Sequence, residues 1–243
     1  GYLTLSTLKG FEMINNKDDY LHTLIESYRI CASDRDNITY DYQGNDKNFL
    51  GTNDEYIRDK MSLFDKQAAG KYNFPNPHGG GTAYMNAVDE NGLGISLIQS
   101  NFYGIGSRIG VGNYGFFLHN RGCGFNLIKG HPNSLSPNKK PLHTLSPTIW
   151  SKDGSLDFIT GTRGGRYQPQ LLAQTILPYI LEENSFEEIM KKPRWTIEYF
   201  GSDTSSNIKF EFIEESEVSS LEDKGHNIAI ENKLIGGYGP IST

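Results

Sequence analysis

Cysteine is scarce in this chain, whose 243 residues include Cys31 and Cys123 and no others. Two cysteines do not build the disulfide framework that holds small secreted domains together. Cys31 falls on a helical pattern and is expected to be buried as a small hydrophobic residue, whereas Cys123 lies in a glycine-flanked loop. The fold must therefore be stabilised by a hydrophobic core.

Long apolar runs and an excess of positive charge are also lacking. No window reaches 18 apolar residues, so no membrane-spanning helix is predicted. The formal net charge is -6, which argues against nucleic-acid binding because phosphate recognition requires a basic surface. We therefore expect neither nucleic acid nor a membrane as a partner. The sequence does not fix the compartment, although a cytoplasmic location is slightly favoured.

Hydrophobic residues make up 36% of the chain and aromatic residues 12%, enough for a sizeable core. Apolar residues recur every three or four positions in the first part, which predicts helices. Short apolar segments separated by turn residues follow, which predicts hairpins. This order indicates an α+β fold with a mainly antiparallel sheet. Helices are predicted at 18–32, 55–64, 170–181 and 186–191, and strands at 83–88, 94–99, 114–119, 148–150, 156–160, 196–200 and 209–213.

A glycine-rich loop that ends at Thr82 and enters a strand is the most informative feature. The loop spans 67–81 and ends in three glycines, whose backbone freedom suits strained geometry before a scissile bond. The Thr82 hydroxyl could attack the carbonyl of Gly81 and cut the chain there. The freed α-amino group, with an ordinary pKa of about 7.7–8.0, could then serve as the general base for the same hydroxyl. A plain glycine linker before an edge strand remains the alternative.

Two downstream features favour the self-cleaving interpretation. Ser100 and Asn101 follow the predicted return strand, and a hairpin turn at Asn91 and Gly92 would fold them back beside Thr82. Gly164 and Gly165 follow the strand at 156–160. Adjacent backbone N–H groups in a diglycine turn can form an oxyanion hole, although such a pair is more often an ordinary turn.

These residues, taken together and in order, resemble the γ-glutamyltransferase family of N-terminal nucleophile hydrolases. The matching segments are 81–92, Ser100 with Asn101, 140–148 and 160–165. Segments 168–170 and 193–195 are more similar to the amidohydrolase-like members, of the oxamate amidohydrolase type. The segment 21–36 resembles the late helix of the family's large subunit. The resemblance covers essentially the whole chain.

The resemblance implies a four-layer αββα sandwich and a precursor that cuts itself between Gly81 and Thr82. Residues 1–81 would be the C-terminal part of a large subunit and residues 82–243 the small subunit, together forming one domain. Thr82 would be the nucleophile, Ser100 the hydroxyl that supports it, and Gly164 and Gly165 the oxyanion donors. Asn101 approximately matches a substrate-binding asparagine. No metal or cofactor is implied.

The implied partners are a small amide substrate, water or an amino-acid acceptor, and the chain's own second subunit. A homo-oligomer of such heterodimers is left open. The family's upstream half and the strands after Gly236 and Gly237 are expected to be absent from this chain. It would then be a fragment or an unusually reduced member.

The departures from the family concern the substrate. Transferases place an acidic residue for the substrate's ammonium group in a segment that here spans 120–124 and contains no carboxylate. A serine pair near the substrate carboxylate is replaced by His143 and Thr144, and these two residues are expected to bind substrate together with Asn101 and Arg121. We therefore predict that Arg121 and His143 bind an anionic or small polar acyl group, unless they merely pack loops. Donors without an α-amino group are expected to be hydrolysed at least as well as γ-glutamyl donors.

Three functions remain at this point. The first is a γ-glutamyltransferase-like amide hydrolase. The second is a true γ-glutamyltransferase acting on glutathione and γ-glutamyl compounds. The third, from another class, is an inactive scaffold or binding protein on the same fold, against which the intact Thr82, Ser100 and diglycine segment argue.

Overall fold

The computed structural model describes residues 1–42, 49–72, 81–181, 184–199, 206–235 and 239–243. Along the described chain helices come first, antiparallel strands follow, and further helices and strands complete the fold, an order typical of the α+β class. The helices are α1 (Tyr2–Ile14), α2 (Tyr20–Ala32), α3 (Arg35–Ile38), α4 (Asp54–Met61), α5 (Gln168–Ile180), α6 (Phe186–Ile189) and α7 (Glu215–Asp223). The strands are β1 (Thr82–Val88), β2 (Gly94–Ser100), β3 (Thr148–Lys152), β4 (Ser155–Thr162), β5 (Trp195–Tyr199), β6 (Ser206–Phe210), β7 (Asn227–Ile230) and β8 (Ile241–Ser242).

The main core lies between the early helices and a sheet from the end of the chain. Leu24 and Ile25 of α2 are fully buried and belong to the same cluster as Ile197 of β5 and Ile208 of β6. Cys31 is buried in this cluster as well, which confirms its predicted role as a small hydrophobic residue. Residues on either side of Gly81 therefore share one core.

Strands β1 and β2 form an antiparallel hairpin whose register places Thr82 opposite Ser100. At the turn, the Asp89 carboxylate accepts hydrogen bonds from the backbone N–H groups of Asn91 and Leu93, both at 2.9 Å. One face of the hairpin packs on β4, where the Tyr84 ring lies so close to Gly161 that a side chain there would collide with it.

Helix α5 covers the sheet formed by β3, β4 and β8. Pro169 occupies its first turn, where the missing N–H costs nothing. Phe158 of β4 packs against Leu172 and Ile176 of the helix, and both of these aliphatic side chains are fully buried. This packing fixes the end of β4, from which Gly164 and Gly165 follow.

The third sheet has the order β5-β6-β7, and its edge strand β5 bonds to glutamine side chains of α5. The Gln174 amide accepts from the Trp195 N–H at 3.0 Å and donates to the Trp195 carbonyl at 2.9 Å. The Gln170 amide oxygen accepts from the Ile197 N–H at 2.6 Å. The β6–β7 pair is parallel, an exception to the antiparallel pairing predicted.

The predicted strand at 114–119 is wrong. Residues Gly112–Tyr114 form a 3-10 turn, and Gly115 has a left-handed φ of 73°. Within the described residues, pairing here is limited to a bridge between Gly110 and Phe117. The reason is that this apolar segment has no face to bury, since Tyr114 is 81% exposed. Helix α4 also ends at Met61 rather than Phe64, and the predicted strand at 209–213 lies at 206–210.

A buried histidine pair joins α2 to the segment after α7. The His22 Nε2 atom lies 2.9 Å from the Asp65 carbonyl, which only accepts, so this nitrogen carries the proton. The His22 Nδ1 atom must then accept from His226 Nε2 at 2.8 Å. This leaves His226 Nδ1 as a buried acceptor without a partner. Burial, together with the positive charges of Arg29 and Lys224 and the proximity of His22, lowers the pKa of His226 to about 3.

Acidification is therefore expected to destabilise the fold through His226. The pKa of His226 is lower in the folded state than the ordinary value of about 6.5. The contribution of His226 to the free energy of unfolding is therefore complete above pH 6.5 and is lost as the pH falls toward 3. For a group with this shift, the free energy of unfolding falls by about 2 kcal/mol between pH 7 and pH 5. Two cations face His226: Arg29, which is paired with Glu26, and Lys224, which is paired with Asp19. Both oppose a positive charge on His226.

Denaturant unfolding at pH 7 and pH 5 checks this expectation. The variant His226→Gln keeps an amide N–H for His22 but cannot titrate. Its free energy of unfolding should therefore fall by about 2 kcal/mol less than that of the wild type over this pH range. Equal losses in the two proteins would show that His226 does not carry the effect.

Candidate functional site

Thr82 and Ser100 are brought together by the hairpin register. The Thr82 hydroxyl donates to Ser100 Oγ at 3.1 Å, and the Ser100 hydroxyl donates to the carbonyl oxygen of Gly81 at 3.1 Å. The Phe102 N–H also donates to Ser100 Oγ at 3.1 Å. Ser100 thus contacts both the predicted nucleophile and the carbonyl of the predicted scissile bond, an arrangement that can polarise that carbonyl.

Close backbone packing explains why glycine precedes Thr82. A Cβ atom on Gly81 would lie 2.4 Å from the carbonyl oxygen of Gly104. Backbone atoms cannot retreat as a flexible side chain can, so a larger residue would displace the Gly81 carbonyl from Ser100. The other predicted loop residues, 73–80, lie outside the described part of the chain.

The loop after Ser100 is fixed by Asn120. Its amide oxygen accepts from the Tyr103 N–H at 2.9 Å, while its amide nitrogen donates to the carbonyls of Tyr103 and Gly106 at 3.2 and 3.0 Å. The Asn101 side chain makes only a long contact, 3.5 Å, to the Ile105 carbonyl. Asn120, which the sequence did not single out, therefore orders the loop that carries Phe102 and Tyr103.

A cavity of about 150 Å³ lies beside this loop. Phe102, whose N–H bonds to Ser100, forms part of its wall, whereas neither Thr82 nor Ser100 is among the lining residues. Thr144, one of the predicted substrate-binding residues, is buried and lines it as well. The remaining lining residues are Asp36, Tyr103, Cys123, Gly124, Phe125, Asn126, His131, Asn133, Leu142 and Arg166.

An ion pair that sequence reasoning missed lies in this cavity wall. Arg166 Nη1 and Nη2 donate to the two carboxylate oxygens of Asp36 at 3.2 and 3.4 Å. The segment 120–124 has no carboxylate, but Asp36 of α3 brings one to the same cavity. No local motif contains both residues, because they are 130 positions apart in the chain.

Arg121 and His143 lie near the cavity but outside its lining, as far as the chain is described. The Arg121 guanidinium stacks over the Phe102 ring at 4.7 Å, and its two terminal nitrogens are buried without hydrogen-bond partners. His143 Nδ1 accepts from the Leu145 N–H at 3.2 Å. Partial desolvation, with positive charges at Gly1, Arg121 and Arg35, lowers the pKa of His143. A role for either residue in binding an anion stays a prediction.

Gly164 and Gly165 form a sharp turn directly after β4. Their φ angles are 123° and 57°, in the region that glycine adopts without strain. β1 packs on β4 through Tyr84 and Gly161, three residues before Gly164, so the turn leaves the sheet close to the hairpin. That the N–H groups of the two glycines face Thr82 remains a prediction.

In the described ranges, no cluster of three or more His, Cys, Asp or Glu side chains is arranged to hold a metal ion. No helix among these residues has both the length and the apolar content that crossing a bilayer requires. The chemistry available at the site is that of hydroxyl, amide, carboxylate and guanidinium groups.

Residues 2–243 match the family described as gamma-glutamyltranspeptidase. The chain belongs to this family. The match spans both sides of the Gly81–Thr82 bond and so includes every site residue discussed above. The gamma-glutamyltranspeptidase family is also the one that the sequence motifs resemble, which confirms that resemblance.

Two relatives show how similar the chain is to known proteins. It is 29% identical over 252 residues to the glutathione hydrolase-like YwrD proenzyme of Bacillus subtilis, covering 99% of this chain and 46% of that protein. It is 32% identical over 161 residues to the oxamate amidohydrolase proenzyme of Klebsiella pneumoniae, covering 64% of this chain and 30% of that protein. The chain thus spans less than half the length of these relatives.

Solved structures establish the fold class. A cephalosporin acylase from Bacillus halodurans superposes with a TM-score of 0.79 at 25% identity, over 98% of this chain and 44% of that one. A mutant gamma-glutamyltranspeptidase from Helicobacter pylori gives 0.54 at 22% identity, over 62% and 86% of the two chains. The predicted α+β fold of the N-terminal nucleophile type is confirmed.

Proposed function

We propose that this chain carries the catalytic centre of a self-processing amide hydrolase or acyltransferase, with Thr82 as its N-terminal nucleophile. The observation that carries the proposal is the hydrogen-bond chain from the Thr82 hydroxyl through Ser100 to the Gly81 carbonyl. The attacking hydroxyl, the target carbonyl and the hydrogen bond that polarises this carbonyl thus lie in one local cluster. The same chain of contacts argues against an inactive scaffold.

The first step is cleavage of the precursor. The Thr82 oxygen attacks the Gly81 carbonyl carbon while the Ser100 hydroxyl stabilises charge on the carbonyl oxygen. The bond to the Thr82 nitrogen breaks as that nitrogen takes up the proton that the Thr82 hydroxyl has lost, leaving an ester that water hydrolyses. Residues 1–81 and 82–243 then remain as two subunits of one domain, held together by the common core.

Substrate turnover repeats this chemistry on an external amide. The freed Thr82 α-amino group accepts the hydroxyl proton, and the oxygen attacks the substrate carbonyl. The α-ammonium group then returns that proton to the leaving amine, and the acyl group remains on Thr82 as an ester. Gly164 and Gly165 supply N–H groups to the tetrahedral oxyanion. Water, or an amino-acid acceptor, then takes the acyl group from Thr82. Whether the two-subunit product assembles into larger oligomers is left open.

N-terminal sequencing of the purified full-length protein tests the proposal. We expect a new N terminus at Thr82, because attack on the Gly81 carbonyl releases that residue's nitrogen. The variant Thr82→Ala, purified and incubated in the same way, serves as the control, because contaminating proteases would still cut it. A new terminus at another position, or none after prolonged incubation, contradicts the proposal.

A true γ-glutamyltransferase is a second candidate that one observation favours. The doubt about this function rested on the absence of a carboxylate in 120–124, and Asp36 supplies one to the same cavity. A carboxylate is the partner that an ammonium group needs in a partly buried site. The relatives named glutathione hydrolase are compatible with either candidate.

A further inference from the structure

Helix α2 carries a buried ion pair that holds the backbone of one glycine on both sides. Glu26 is fully buried and Arg29 is 4% exposed, and Arg29 Nη1 donates to Glu26 Oε1 at 2.6 Å. The Gly70 N–H donates to the other carboxylate oxygen, Oε2, at 2.9 Å, and Arg29 Nη2 donates to the Gly70 carbonyl at 2.8 Å. We call these three bonds the Gly70 clamp. They occupy both hydrogen-bonding groups of the Gly70 backbone.

Stability does not explain why this pair is ionic. Taking two charges out of water is costly, and hydrophobic side chains of similar size in place of a buried ion pair are often neutral or stabilising. The Arg29 Nε atom is also buried without a hydrogen-bond partner, which adds to the cost. Charged groups provide what hydrophobic ones would not, a fixed donor and a fixed acceptor for the Gly70 backbone.

The residues on either side of Gly70 are held as well. The Arg29 guanidinium lies over the Tyr72 ring, 5.3 Å from its centroid, and the Tyr72 hydroxyl lies 3.5 Å from the carboxylate of the pair. A Cβ atom on Gly70 would lie 2.2 Å from this hydroxyl, so a larger residue would displace the ring. The Ala69 N–H donates to the Lys224 carbonyl at 2.7 Å. These contacts fix the short segment around the clamp.

The clamped segment lies shortly before the bond that is proposed to be cut. Nine residues, 73–81, separate Tyr72 from Thr82 in the chain. The last of them, Gly81, accepts a hydrogen bond from the Ser100 hydroxyl at its carbonyl. The stretch that leads to the scissile bond therefore starts and ends at fixed points.

We propose that Glu26 and Arg29 are positioning residues for self-cleavage, which help to place the Gly81 carbonyl by fixing the point from which the chain approaches it. This inference rests on the proposed function. Without the clamp and the single bond beside it, the next contact upstream is that of His22 with the Asp65 carbonyl, and the stretch becomes nearly twice as long. The entropic cost of placing a chain end rises with the logarithm of its length, so cutting should slow roughly threefold.

The rate of self-cleavage and the turnover of the fully cut enzyme separate positioning from structural damage. In the full-length protein, Glu26→Leu combined with Arg29→Met removes the clamp without leaving an unpaired buried charge. A cell-free translation reaction sampled over time on denaturing gels should show this double variant cut about threefold more slowly than the wild type. Once fully cut, it should match the wild type in melting temperature and in kcat/KM for an anilide donor. Arg29→Lys keeps a cation beside Glu26 and should be cut faster than the double variant.

Ala69→Pro loosens the same segment without altering the buried pair. Proline has no N–H to donate to the Lys224 carbonyl, so cutting should slow again while the turnover of the cut enzyme is unchanged. Ala68→Pro is the matched control, because the Ala68 N–H donates to no carbonyl in the described part of the chain. The control should be cut at the rate of the wild type.

The possible outcomes distinguish this inference from the proposed function. Equal cutting rates in the wild type, the double variant and Ala69→Pro would refute the positioning role alone. A parallel fall in cutting and in the turnover of the cut enzyme would assign the pair to general stability and refute the positioning role as well. A wild type that is not cut would refute the proposed function, and the inference would fall with it.

Discussion

Replacing Thr82 by alanine is expected to leave the chain uncut and to abolish amide hydrolysis. The substitution removes the oxygen that donates to Ser100 and that would attack the Gly81 carbonyl. Loss of a nucleophile typically costs several orders of magnitude in turnover, because no neighbouring group replaces it. Denaturing gel electrophoresis and an anilide assay measure the two effects on one preparation.

Thr82→Ser is the matched control for this prediction. Serine keeps the hydroxyl and the α-amino group, so the variant should still be cut and should retain measurable hydrolysis. Thr82 is half-buried at the start of β1, and its replacement by alanine removes little packing. If the alanine variant were cut normally, the nucleophile would have to be another residue.

Gly165→Val is expected to reduce turnover by about a hundredfold or more while the protein still folds. Gly165 has a φ of 57°, which a β-branched residue adopts only with strain, so the turn must change its shape. The N–H groups of Gly164 and Gly165 would then leave the positions proposed for the oxyanion. Losing one oxyanion donor costs on the order of a hundredfold, about 2.7 kcal/mol at 1.36 per decade.

Gly165→Asn separates this effect from a general loss of stability. Asparagine tolerates the left-handed region better than valine, so it should retain more activity at a similar melting temperature. Both variants should be measured for kcat and KM, because a lost oxyanion contact lowers kcat whereas a lost binding contact raises KM. Unchanged kcat in the valine variant would place the oxyanion donors elsewhere.

The hairpin and its register followed from local sequence alone. The Asp89 to Gly92 turn, flanked by alternating side chains, sets the pairing, and the pairing places Ser100 opposite Thr82. The helix predicted at 18–32 was found as α2, although its first residues form a 3-10 turn. A defined turn was sufficient to predict the hairpin, and strong local periodicity was sufficient to predict the helix.

Helix α1 was not predicted because polar residues interrupt the apolar positions of its buried face. Thr4, Ser6 and Thr7 are buried, and the Ser6 and Thr7 hydroxyls donate to the carbonyls of Tyr2 and Leu3 at 2.9 and 2.7 Å. These bonds satisfy the hydroxyls within the helix, so the segment can be buried without the apolar repeat that marks most helices.

The Asp36–Arg166 pair could not be predicted for a different reason. Asp36 lies in a helix of four residues, and Arg166 follows the diglycine turn. Their meeting depends on how the fold brings α3 to the turn after the diglycine segment, which no local pattern encodes. Thr82, Ser100 and the glycines belong to recognisable local patterns, whereas this ion pair joins separate parts of the fold.

The glutamine contacts of α5 have a consequence for association between molecules. An exposed strand edge offers free N–H and carbonyl groups to which a strand of another chain can be added, the first step of many aggregates. On β5 the Trp195 and Ile197 N–H groups are already bonded to Gln174 and Gln170. Two side chains of a helix thus take the place of a neighbouring strand. The amide protons of Trp195 and Ile197 will exchange slowly with solvent, and this edge is closed to fibril-like growth.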